Sequence, residues 1–111
     1  MAIIIKNLVQ PKQLEAAQTD QYIAQNCKTR IDKFTLTNTS GSNVVVSVNL
    51  IPSPASASAA NAILFARTIA PSECYTCPEL VSHILEPNAK ISTLASAASS
   101  ITINVSGVEI T

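Results

Sequence analysis

Two runs of alternating apolar and polar residues mark the middle of the chain. In the first, Phe34 and Leu36 alternate with Lys33, Thr35 and Thr37; in the second, Val44, Val46, Val48 and Leu50 are set against Ser47 and Asn49. Successive side chains of a strand point to opposite faces, so a period of two predicts strands with one apolar face each. Between them lies TNTSGSN, residues 37 to 43, in which Asn38, Ser40, Ser42 and Asn43 can bond their own backbone and Gly41 is free of a Cβ. The pattern predicts an antiparallel hairpin. An isolated hairpin is marginal in water, so the other alternating segments must cover its apolar face.

Those segments follow in order. Residues 1–8 form a short apolar strand or arm, and the polar stretch from Pro11 to Gln21 has too few apolar residues to anchor more than a loose helical turn. Tyr22 to Ile31 contributes a strand, with Ile31 out of phase with Phe34, which predicts a bulge near Asp32 and Lys33. Residues 52 to 61, PSPASASAAN, read as a surface loop. Ala62 to Ile69 is apolar on both faces except at Arg67 and Thr68, as in a strand deep inside a sheet. A turn at Ala70 to Glu73 leads to a short strand at Cys74 to Cys77, and Pro78 with Glu79 suits the start of one short helical turn near residues 78–84. A strand at Lys90 to Ser96 places Ile91, Thr93 and Ala95 on one side. The last run alternates at Ile101, Ile103 and Val105, then changes phase across Gly107 to Val108 and Ile110, the pattern of a glycine bulge. Strands at this spacing predict an all-β fold, an antiparallel β-sandwich that is jelly-roll-like. Its core is expected at Phe34, Leu36, Val46, Val48, Leu50, Ile63, Phe65, Ile101 and Ile103. Residues 1–28 are expected to be an N-terminal arm and polar linker, and residues 29–111 the sandwich domain.

Composition narrows the function. Seven basic residues balance seven acidic ones in 111, so no field draws in nucleic acid or an anionic membrane surface. Ile3, Ile4 and Ile5 make a patch too short for a membrane span and without the charged start of a signal peptide, and a cytoplasmic origin is expected. In that compartment the odd set Cys27, Cys74 and Cys77 reads as free thiols.

Candidate chemistry is sparse. Cys74-Tyr75-Thr76-Cys77 has the spacing of a redox or zinc half-site, but no α/β unit surrounds it and only Cys27 and His83 remain to complete a zinc set. In an extended stretch the two thiols point to opposite faces. His83, the one histidine, has Glu79 and Glu86 as neighbours in sequence, and the other carboxylates are scattered singly. With only Gly41 and Gly107, no glycine-rich phosphate loop can form. No enzyme, metal or cofactor is expected. Ile3, Ile4 and Ile5 are the candidate partner-binding residues, either as the first strand of the sandwich or as a strand added to a neighbouring chain.

Several segments together, the TNTSG turn, VNLIPS with its Ala/Ser/Asn loop, ARTIAPSE, CPELVSHIL and the closing ASAASSITINVSGVEI, resemble small structural proteins of tailed bacteriophages, over roughly residues 34 to 111. The chain is most similar to capsid decoration, or staple, proteins of the epsilon-fifteen type of short-tailed phage. That resemblance implies a virion structural protein outside the major capsid protein shell, bridging neighbouring subunits. It also implies self-association as a homo-oligomer on the capsid exterior, after assembly in the host cytoplasm, and no catalytic residues. The alternatives are a tail, fibre or baseplate module of a phage and, in another class, a small sugar- or ligand-binding β-sandwich.

Overall fold

The computed structural model describes residues 2–111. Nine strands account for most of it: β1 (Ile3–Gln13), β2 (Thr19–Ile23), β3 (Lys28–Asn38), β4 (Val44–Ile51), β5 (Ala62–Ile69), β6 (Cys74–Tyr75), β7 (Ile84–Leu85), β8 (Lys90–Ala95) and β9 (Ile101–Ile110). They form two antiparallel sheets. One has the order β1-β9-β3-β6, with the short β7 also beside β3, and the other the order β2-β8-β4-β5. β1 pairs with β9, β2 with β8, β3 with β6 and β4 with β5, the pairs of a long ribbon folded back on itself and wound into two layers. The fold is thus an all-β sandwich, compatible with a jelly roll.

The expected central hairpin is not one. β3 and β4 lie in different sheets, and residues 39–43 carry the chain across. Alternation reports which face of a strand is apolar but not which neighbour it pairs with, and here Phe34 and Leu36 meet Val44, Val46 and Val48 across the core rather than along a ladder. Buried Asn38 builds the crossing. Its Nδ2 donates to the carbonyls of Ser42 and Ile69, both at 2.8 Å, while its Oδ1 accepts from the Ser40 amide at 2.9 Å.

The division into arm and domain is also overturned. β1 and β2 are strands of the two sheets, and Leu8, Val9, Leu14, Ala24 and Cys27 belong to the same buried cluster as Phe34. Backbone pairing with β9 and β8, not the apolar content of the stretch, joins these two strands to the sandwich. The corner between them is tied by Glu15, which accepts from Lys12 at 2.8 Å and Gln21 at 2.9 Å; these bonds, Lys12 foremost, hold its carboxyl down to about 2.

β5 lies at the edge of its sheet rather than deep inside it. Val46 pairs with Arg67 and Val48 with Leu64, so Phe65 and Ala66 both oppose Ser47 in a bulge. Ala66 takes φ 51° there, and its amide donates to Ser47 Oγ at 2.8 Å. Ile63 and Phe65, expected in the core, are therefore 38% and 75% exposed. Leu50 is only partly buried and Ile51 is buried instead, after a second register shift in the same pair of strands. The other six expected core residues are fully buried.

No helix forms at 78–84. Leu80 bonds back to Cys77 and His83 to Leu80, but Cys77 at φ 49° and Ser82 at φ 72° break the run into separate turns that lower buried Leu80 into the end of the core. Among the described residues, the single 3-10 turn is at Ala59–Asn61, inside the exposed loop, where Asn49 and Asn61 bond each other.

The bulge near Asp32 is present: Ile31 faces Gly107 and Lys33 faces Ser106. A matching irregularity sits at Leu8 in β1, between Asn7 and Val9. β9 itself carries no extra residue at Gly107. Its change of phase arises because Val105 faces the core whereas Val108 and Ile110 face outward, and the glycine is required because a Cβ there would lie 2.2 Å from the Arg30 carbonyl oxygen.

Candidate interaction surface

The first half of β1 runs beside β9 without irregularity, from Ile3 opposite Ile110 to Asn7 opposite Ser106. Ala2 and Thr111 exchange both backbone hydrogen bonds, at 3.1 and 3.0 Å, which fixes the phase of the ladder. In an antiparallel pair the residues that exchange bonds alternate with those that do not. Ile4 and Lys6 therefore direct their amides and carbonyls at β9, while those of Ile3, Ile5 and Asn7 point away from the sheet.

Side chains alternate likewise. Cross-strand partners share a face, so Ile5, Val108, Arg30 and Ile84 form one row across β1, β9, β3 and β7, and Ile3, Ile110 and Lys28 form the next. Ile3, Ile5, Ile84 and Ile110 are all exposed, Ile5 to 84%, above Val108, which is buried but lies outside the main core. The cations of these rows are balanced from nearby: Arg30 by Asp32 at 2.7 Å and Lys28 by Glu86 at 3.6 Å.

Ile4 is on the opposite face of β1, in register with Glu109 and Thr29. There Tyr22 donates its hydroxyl hydrogen to the Glu109 carboxylate, Lys6 reaches the same carboxylate at 3.4 Å, and Thr29 lies 2.8 Å from the phenol oxygen. Burial, and then the adjacent carboxylate, push the Tyr22 phenol above its usual range. Of the three expected partner-binding residues, Ile3 and Ile5 thus share the outer surface, whereas Ile4, 45% exposed, lies on the opposite face in register with this polar cluster. Ile84 and Ile110 were not foreseen as part of the surface, although the outward phase of Val108 and Ile110 was visible in the alternation of the last run.

A second apolar surface lies on the outer side of the other sheet. Phe65 and Leu94 stand between two shallow hollows, one reaching Gln18, Ser58 and Ala59, the other Val45, Ala66 and Ser96. The sequence concealed it, because a strand apolar on both faces reads as buried.

The remaining candidates are dispersed. Cys74 is exposed in β6, whereas Cys77 is buried and its thiol is pushed up to about 12, by burial first and then by the charge of Glu79. Tyr75 donates to Glu79, at 2.6 and 2.5 Å to the two carboxylate oxygens, and Arg67 stacks over the Tyr75 ring at 4.1 Å. These contacts link the edges of the two sheets. His83 is exposed, with Glu79 engaged by Tyr75 and Glu86 by Lys28. Among the described residues, no three His, Cys, Asp or Glu side chains gather closely enough to hold a metal ion.

The class of protein defined by this geometry is a small antiparallel β-sandwich with an open, apolar sheet edge. No protein-family model, curated protein or solved structure matches the chain.

Proposed function

We propose that the chain is a virion structural protein of a tailed bacteriophage, one that binds the outside of the major capsid protein shell and bridges neighbouring subunits. The observation that carries the reading is the surface formed by Ile3, Ile5, Ile84 and Ile110, apolar at its centre and charge-balanced at its rim. Such a surface suits contact with another protein, since exposed apolar clusters rimmed by polar groups mark interaction sites. The resemblance of residues 34 to 111 to phage decoration proteins supplies the kind of partner. Many copies on a repeating shell need only weak individual contacts, because two contacts per rigid unit raise apparent affinity about 100- to 10,000-fold.

Electron microscopy of phage particles labelled through this chain tests the reading. Label over the head shell supports it; label confined to the tail moves the chain to a fibre or baseplate module. The alternative of a sugar- or ligand-binding sandwich draws on Phe65, exposed beside Ser47, Gln18 and Ser58. Saturable binding of free saccharides that Phe65→Ala abolishes would favour it.

A further inference from the structure

The four outer edges of the sandwich are not equivalent. β5 is bulged at Phe65 and Ala66, β2 has five residues and a register shift, and the outer side of β3 is occupied by β6, β7 and the backbones of Ser82 and His83. Bulges, short strands and covering segments are the usual protections of a sheet edge. β1 from Ile3 to Asn7 has none of them. It is regular, outermost in its sheet and flanked by the exposed side chains of Ile3 and Ile5, and three alternate residues, Ile3, Ile5 and Asn7, turn unpaired amides and carbonyls outward.

We infer that residues 3–7 of β1 are an acceptor for strand addition, taking an extended segment of a different protein as a further strand of the sheet. The chemistry of the edge specifies the occupant: a row of backbone donors and acceptors is satisfied by another extended backbone, and Ile3 and Ile5 favour apolar side chains at alternate positions of that segment. Its direction is the reverse of what the sequence suggests, because β1 is already fixed by β9 and receives a strand rather than donating one.

Area decides against a second copy as the occupant. A five-residue edge is roughly 17 Å long and covers on the order of a few hundred Å² per partner, against about 800 Å² in a stable free-standing interface. A contact of that size holds when the complementary segment is displayed many times on one rigid surface. The identification of that surface as the shell rests on the function proposed above.

The test compares two variants at one position. Ile5→Ala removes the side chain and keeps the amide, whereas Ile5→Pro also removes an amide that points away from β9, leaving the native ladder intact; proline is tolerated at such edge positions. Wild-type and variant proteins are sedimented with shells assembled from the phage's major capsid protein. Hydrogen exchange at Ile3, Ile5 and Asn7 is followed in the wild type, free and shell-bound, so that the result does not depend on the folding of a variant. Ile5→Pro is expected to bind at least tenfold more weakly than Ile5→Ala, with exchange at those three amides slowed at least tenfold on the shell. Equal binding by the two variants with unchanged exchange overturns strand addition while leaving the shell as partner. Failure of the wild type to bind the shell removes both readings. A solution dimer of the wild type that Ile5→Pro dissolves assigns the edge to a second copy and overturns the inference.

Discussion

Among the described residues, seven other than glycine adopt positive φ, at Asn26, Ala66, Ser72, Cys77, Ser82, Asn88 and Ser99, whereas neither glycine does. Turn chemistry was legible at Ser72, inside the expected turn at Ala70 to Glu73, and illegible at Ala66 and Cys77 and at Asn26 and Ser82, which fall inside an expected strand and an expected helical turn. Ala66 has no compensation beyond its amide bond to Ser47, so Ala66→Gly is expected to raise stability by up to about 1 kcal/mol in denaturant melts. An alanine-to-glycine change at buried Ala95 is expected to lower it by a similar or larger amount. The cysteines separate just as sharply. Cys74 is exposed, Cys77 is buried with its thiol held far above neutral pH, and Cys27 is buried. In the native protein a thiol-reactive probe at pH 7.5 is expected to label Cys74 within minutes and the other two only on unfolding; rapid labelling of Cys77 would show that the 76–82 turns open readily. The spacing of the CxxC was plain in the sequence, but only the left-handed residue at Cys77 shows why its sulfur turns inward.

For the strands, alternation located β3, β4, β8 and β9 well, since their inward residues fill the core from both sides. It undervalued β1 and β2 and overvalued β5, because an edge strand is defined by its neighbours rather than by its own composition. Nothing in AILFARTI announces that one of its sides is open. The bulge at Asp32 was readable as a break in phase, while its counterpart at Leu8 was hidden where three isoleucines leave no alternation to break. Gly107 sits between these two bulges. Gly107→Ala is expected to cost at least about 2 kcal/mol, since the Arg30 carbonyl oxygen 2.2 Å from the added Cβ belongs to a strand held on both sides. Deleting residues 2–8 is expected to lower the melting temperature of the isolated protein by well over 5 °C, because it bares the edge of β9 and removes Leu8 from the core. An unchanged melting temperature would restore the view of this segment as a dispensable arm.

Across the whole molecule, the class of fold was legible and its wiring was not. The alternating strands and their spacing pointed to a sandwich, but the sheet that each strand joins depends on contacts between distant parts of the chain, such as β1 with β9 and β2 with β8. The interaction surface was legible in part for the same reason: Ile3 and Ile5 stand out in sequence, whereas Ile84 and Ile110 join them only through that pairing. The winding also brings Ala2 and Thr111 into mutual hydrogen bonding. A few residues of linker could therefore join them into a closed ring, and new ends could be opened in the exposed loop at residues 52–58 without cutting a strand. Such a circular permutant is expected to keep the native fold and to melt within a few degrees of the parent by circular dichroism. With no chain terminus left beside Ile3 and Ile110, labels or cargo could be attached in the loop that joins β4 to β5 of the other sheet.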